Sequence, residues 1–128
     1  MTSASKMRKS NEDILSDVLG DGLLFVSNHK GARAHSDAFD FVVNCTKHIP
    51  FYSVRANQRR VRLPVDDEDE SGLLFELLRN TYVLSHIEEA IQVKERVLIH
   101  CLDGSQISAA VAACLLVASR DRKSTRLN

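Results

Sequence analysis

The chemistry-bearing residues of this sequence concentrate between Arg96 and Ser108. The run Val97-Leu98-Ile99 is strand-like and apolar, and it stops at the pair His100-Cys101. A short segment containing Gly104 follows, and then an alanine-rich run, Ala109-Ala110-Val111-Ala112-Ala113-Cys114-Leu115-Leu116, that reads as a helix. Strand, tight loop and helix N-terminus in that order aim backbone N–H groups and the positive end of the helix dipole at one point, which predicts an anion site. A cysteine at the mouth of such a site has its thiolate favoured, so Cys101 is the natural nucleophile. An isolated cysteine at a strand end is more often a buried apolar residue. The company of His100, Gly104 and Ser108 tips the reading toward chemistry.

The stretch resembles the signature loop of the cysteine-dependent phosphatases, in particular the dual-specificity branch. That pattern is His-Cys, five residues, Arg, then Ser or Thr. His100, Cys101, Gly104 and Ser108 fall on matching positions, and Leu102, Asp103, Ser105 and Gln106 fill the rest of the loop. The arginine position holds Ile107. In the family the arginine forks two hydrogen bonds to phosphate oxygens and stabilises transition-state charge. Isoleucine has neither donor nor charge, so both contributions vanish. Removing a single oxyanion donor typically costs about 10²–10³ in rate, and losing a cationic clamp costs at least that. Arg120 lies too far along the same helix to substitute, roughly 20 Å at about 1.5 Å per residue. Asp103 adds a carboxylate that repels phosphate and disfavours the Cys101 thiolate unless its side chain points to solvent. Gln106 supplies at most one neutral hydrogen bond. The resemblance therefore implies a phosphatase-like loop with impaired turnover.

The resemblance also assigns a general acid. Dual-specificity phosphatases carry it on a loop after a proline-containing strand, and Leu63-Pro64-Val65-Asp66-Asp67 matches, with Asp67 as the equivalent position and Asp66 the near alternative. A carboxylic acid is needed there because the leaving alkoxide or phenolate must receive a proton. Read without the family, residues 66–70 are an acidic loop at a helix N-terminus, where negative charge is favourable in any case. The cluster Arg55, Arg59, Arg60 and Arg62 offers phosphate binding near the site, or more simply a charged strand edge protected from pairing.

The elements that must position these residues are legible in part. Ser10-Asn11-Glu12-Asp13 resembles a capping box ahead of Ile14, Leu15 and Val18 and predicts a short helix or turn. Leu23-Leu24-Phe25-Val26-Ser27 reads as a buried strand. Residues 29–36 carry weak helical character at best, and residues 39–46 read as a second strand containing the family-like Asn44 and Thr46. Those two strands with a crossing between them suggest a parallel βαβ arrangement. Residues 48–52 form a connection with aromatics available for exposure, and residues 59–65 a further strand. Leu74, Leu77, Leu78, Leu84, Ile87 and Ile91 recur at helical spacing and predict one long amphipathic helix over residues 71–94. The fold class expected is α/β, a three-layer sandwich around a mostly parallel sheet, with ligand at the strand C-termini.

A chain of 128 residues, 44% hydrophobic and 27% charged, has the composition of one globular domain. Zero formal net charge gives no field to draw it to nucleic acid, and no segment has the length of a membrane span. Three widely spaced cysteines in apolar runs fit a reducing intracellular compartment, cytoplasmic or nuclear. Residues 1–9 read as a flexible arm and residues 10–120 as the domain. Residues 121–128 read as the translation of a sequencing adapter, with a genuine polar tail as the alternative. On the adapter reading the C-terminal helices of the family are missing.

The expected function is a catalytically impaired dual-specificity-phosphatase-like domain, cofactor-free, binding a phosphorylated protein or a protein partner. One alternative is a weakly active protein phosphatase using a cysteinyl-phosphate. Another is a binding protein with a redox-responsive thiol at Cys101.

Overall fold

The structure is a computed structural model that describes residues 14–53, 55–65, 71–102 and 109–117. Five strands form one sheet: β1 (Leu15–Asp17), β2 (Leu24–Ser27), β3 (Phe41–Asn44), β4 (Arg59–Arg62) and β5 (Val97–His100). Their spatial order is β1-β2-β5-β3-β4, with β1 antiparallel to β2 and every other pairing parallel. Helices are α1 (His29–His35), α2 (Ser71–Thr81), α3 (Val83–Gln92) and α4 (residues 109–117).

Position in the sheet explains the strand compositions. β3 and β5 are central and buried at every residue, and both read as continuous apolar runs until a polar residue ends them. β4 is an outer strand, and its Arg-Arg-Val-Arg sequence keeps that edge charged. Alternation along the strands divides the core in two. Phe41, Val43 and Cys45 join Val97, Ile99 and Cys101 in the larger cluster, which α2, α3 and α4 cover through Leu74, Leu78, Val83, Ile87, Val111 and Leu115. Val42 and Leu98 point the other way and meet Ala32 of α1 and Phe39, with Phe25, Phe51 and Tyr52 alongside. The result is the α/β three-layer sandwich expected from the sequence.

Three local expectations need correction. The stretch after residues 10–13, which themselves lie outside the described residues, is a strand and not a helix: Leu15, Ser16 and Asp17 pair with Ser27, Val26 and Phe25. The open edge of β2 provides a ladder that outweighs the local preference. Residues 29–35 are a full helix, because Asn28 caps it by accepting from Gly31 N at 2.8 Å and also accepts from Ile14 N at 3.1 Å. The two early strands run parallel with a helix between them in the chain, as expected, and β5 lies between them in the sheet. The long helix is two helices, broken at Tyr82 in the left-handed conformation (φ 55°). No glycine or proline marks this break, and the apolar periodicity runs through it.

The end of α3 delivers the chain to β5. Glu95 N donates to Ala90 O (2.9 Å) and Lys94 N to Ile91 O (3.0 Å), with Lys94 left-handed at φ 66°. This is a Schellman closure with lysine in the usual glycine position. The N-terminal end of the sheet is tied at Asp40, which accepts from Arg96 N (2.8 Å) and Arg55 Nη2 (2.9 Å). The Arg96 amide first, and the Arg55 side chain second, hold the Asp40 carboxyl below its usual range.

Candidate active site

The central strands end together at the C-terminal edge of the sheet. His100 is in register with Ser27 of β2 on one side and Asn44 of β3 on the other, so three buried polar side chains form a row across the sheet. One residue further, Cys101 N donates to Ser27 O (3.2 Å) and Cys45 N to His100 O (2.8 Å). The ladder therefore reaches Cys101 before the chain leaves the sheet. Cys101 is 2% exposed and Leu102, the next residue, 50%. Helix α4 then packs back on the larger core through Val111 and Leu115. Strand, turn-out and helix follow in the predicted order.

The turn-out is anchored by a residue that the sequence did not reveal. The Leu102 carbonyl accepts from both the backbone N–H of His29 (3.2 Å) and its ring Nδ1 (2.7 Å). The contact spans 73 positions, and nothing local in the sequence signals it. Across the edge, Asn44 Nδ2 donates to Ile49 O (2.8 Å), Thr46 Oγ1 donates to Asn44 Oδ1 (2.6 Å) and Ile49 N donates to Thr46 Oγ1 (3.2 Å). The family-like Asn44 and Thr46 thus brace the connection after β3.

His100 sits at the centre of this edge with no exposure, and neither ring nitrogen has a hydrogen-bond partner among the described residues. Burial first, and then the positive charges of Arg62 and His29, push its pKa down to about 4. At neutral pH His100 is uncharged and adds no cation beside Cys101.

Each of the four arginines of the basic cluster bonds to other groups of the same chain, although Arg59 and Arg60 are exposed. Arg55 donates to the carbonyls of Asp37 and Phe39 and pairs with Asp40. Arg59 pairs with Glu95 and lies over Phe41, while Arg60 donates to Gln58 Oε1 and to the carbonyls of Ser53 and Arg55. Arg62 reaches the C-terminal edge, where it donates to the carbonyls of Thr46 and Ile49, both at 2.9 Å, and lies over Phe51. These bonds favour the charged-edge reading over a replacement for the missing loop arginine. Of the predicted site residues, His100, Cys101 and Leu102 come together as described. Asp103, Gly104, Ser105, Gln106, Ile107 and Ser108 lie outside the described residues, as do Asp66 and Asp67.

Residues 24–127 match the family model for the dual specificity phosphatase catalytic domain. The chain belongs to this family. Solved phosphatases share the domain's fold. It superposes on OH1, a tyrosine phosphatase from the Orf virus, with a TM-score of 0.70 at 18% identity, covering 87% of this chain and 63% of that one. For human DUSP28 the TM-score is 0.63 at 25% identity, covering 77% of this chain and 66% of that one. For Tk-PTP in its active form it is 0.55 at 25% identity, over 79% and 71% of the two chains. The chain thus spans just under two thirds of the length of OH1 and of DUSP28. No curated protein sequence gives a significant match. Among the described residues of this phosphatase domain, no helix is long and apolar enough to cross a membrane.

Proposed function

We propose that this dual-specificity phosphatase domain is catalytically impaired and acts by binding a phosphorylated protein or a protein partner. What supports the reading is a cysteine at the end of the central strand in a sequence whose loop arginine position holds isoleucine. Cys101 stands at the sheet edge ahead of α4, while the loop position that should supply a guanidinium is Ile107. The loop from His100 to Ser108 retains backbone N–H groups for anion binding, and these do not depend on side-chain identity. Without the arginine, the charge that develops on the phosphoryl oxygens during transfer is left without its cation, so binding survives better than turnover. The neutral state of His100 works in the same direction.

Retention of Cys101 keeps a slow phosphatase as the second reading. In that scheme the thiolate attacks phosphorus, Asp67 protonates the leaving oxygen and later activates water, and a cysteinyl-phosphate lies between. Vanadate titration tests the binding claim. Protection of Cys101 from alkylation by saturating vanadate supports a working anion loop, whereas alkylation at an unchanged rate overturns the phosphate-binding part of the proposal.

A further inference from the structure

The chain leaves the sheet at Cys101 through a contact that departs from the regular ladder. Cys101 N donates to Ser27 O (3.2 Å), and an even parallel ladder would return the next bond from His29 N to the Cys101 carbonyl. His29 N donates instead to the carbonyl of Leu102, one residue further on (3.2 Å). The same oxygen takes a second, shorter bond from the His29 ring, at 2.7 Å from Nδ1. A carbonyl oxygen only accepts, so this ring nitrogen carries the hydrogen, and the neutral ring is held as the Nδ1–H tautomer. The imidazolium has a hydrogen there too and keeps the bond. His29 is itself fixed from behind. The side chain of its buried neighbour Asn28 holds Ile14 N (3.1 Å) and Gly31 N (2.8 Å), which ties the start of α1 to β1. Both bonds from His29 thus fall on one planar peptide, the one that follows the nucleophile by a single residue, and together they set its orientation.

We propose that His29 is a positioning residue for Cys101: its ring latches the Leu102 carbonyl and so fixes how the chain passes from the nucleophile into the loop. The backbone bond from residue 29 is open to any side chain except proline. The ring bond is what histidine adds, and it is the shorter of the two. Cys101 is 2% exposed, so a reagent reaches its sulfur only when this junction opens. Loss of one hydrogen bond of this kind shifts such an opening by about fivefold. The part the latch plays for a bound phosphate rests on the function proposed above, since backbone donors converge on an anion only when their peptide planes are set. The latch itself does not rest on it.

The test compares the full wild-type chain with His29→Asn and His29→Phe, under conditions where urea unfolding shows each chain fully folded. Asparagine carries its Nδ2 donor on Cγ, as imidazole carries Nδ1, whereas phenylalanine keeps a ring without a donor. Long-range ¹H–¹⁵N spectra of the wild type should show the neutral His29 ring as the Nδ1–H tautomer, a reading that needs neither variant to fold. Without ligand, iodoacetamide should alkylate Cys101 about fivefold faster in His29→Phe and within about twofold of the wild-type rate in His29→Asn. Fragment-ion mass spectrometry separates Cys101 from Cys114 in this measurement. Vanadate should protect Cys101 with about fivefold weaker affinity in His29→Phe, and His29→Asn should restore it. A purely structural role would lower the urea midpoint of His29→Phe and leave the alkylation rate of the folded chain unchanged, and that outcome overturns the proposal. So does an Nε2–H tautomer, or a His29→Asn chain that alkylates as fast as His29→Phe. A wild type that binds no vanadate but shows the expected tautomer and alkylation rates overturns the phosphate-binding reading and supports the latch.

Discussion

Acidification should destabilise this domain through His100, and the size of the effect follows from the site. In the unfolded chain its imidazole titrates near the ordinary 6.5, whereas in the fold the pKa is about 4. Between those values the unfolded state binds more protons than the folded state, so stability falls as pH falls. The contribution is complete above pH 6.5 and lost by about pH 4. At about 1.4 kcal/mol per unit, the shift corresponds to roughly 3 kcal/mol, a large share of the 5–15 kcal/mol that holds a typical domain together. Asp40 adds a separate loss further down: its lowered pKa stabilises the fold above the ordinary carboxylate value, and that contribution disappears only as pH drops below it. The assay is urea unfolding from pH 7 to pH 4 on the wild type and on His100→Leu, which fills the site without titrating. Carboxylate effects common to both proteins cancel in the difference. The wild type should lose about 3 kcal/mol more than the variant across this range. A difference that stays flat with pH, or a His100 resonance that titrates near 6.5, would refute the burial argument.

Two further tests address the supports of the site. A Cβ at Gly31 would lie 2.2 Å from the Ile14 carbonyl oxygen and 3.0 Å from Ser27 Cβ, so Gly31→Ala should cost about 2 kcal/mol and loosen β1, seen as a lower midpoint in thermal unfolding; an unchanged midpoint contradicts the packing of α1 under β1. Lys94 and Tyr82 are both left-handed at helix boundaries. Lys94→Gly should therefore gain up to about 1 kcal/mol in urea unfolding, while Tyr82→Ile, β-branched at positive φ, should lose about 1 kcal/mol; the opposite signs would contradict the boundary conformations.

The strands that carry the site were legible because β3 and β5 are buried on both faces and leave continuous apolar runs. The His-Cys pair at the end of β5 and the alanine-rich helix beyond it were legible for the same reason, since composition changes abruptly there. What escaped the sequence was decided by tertiary partners. Leu15 to Asp17 became a strand because β2 offered an edge, and residues 29–35 became a helix because the Asn28 side chain holds Gly31 and Ile14 at once. The break at Tyr82 left no trace because a tyrosine, not a glycine, takes the left-handed turn. His29 and Cys45 joined the site by register and by a contact across the fold. Cys45 was within reach of inference, since it lies between Asn44 and Thr46, the two residues that mark the strand beside Cys101.

The central claim is that a positioned nucleophile has lost its transition-state clamp at Ile107. Hydrolysis of an aryl phosphate by the wild type, Ile107→Arg and Cys101→Ser, in parallel, tests it most directly. The account predicts that the wild type stays near the Cys101→Ser background and that Ile107→Arg rises by about 10²–10³ above it. A wild type that already turns over well and is abolished by Cys101→Ser would contradict the account, as would an Ile107→Arg variant with an intact fold and no gain.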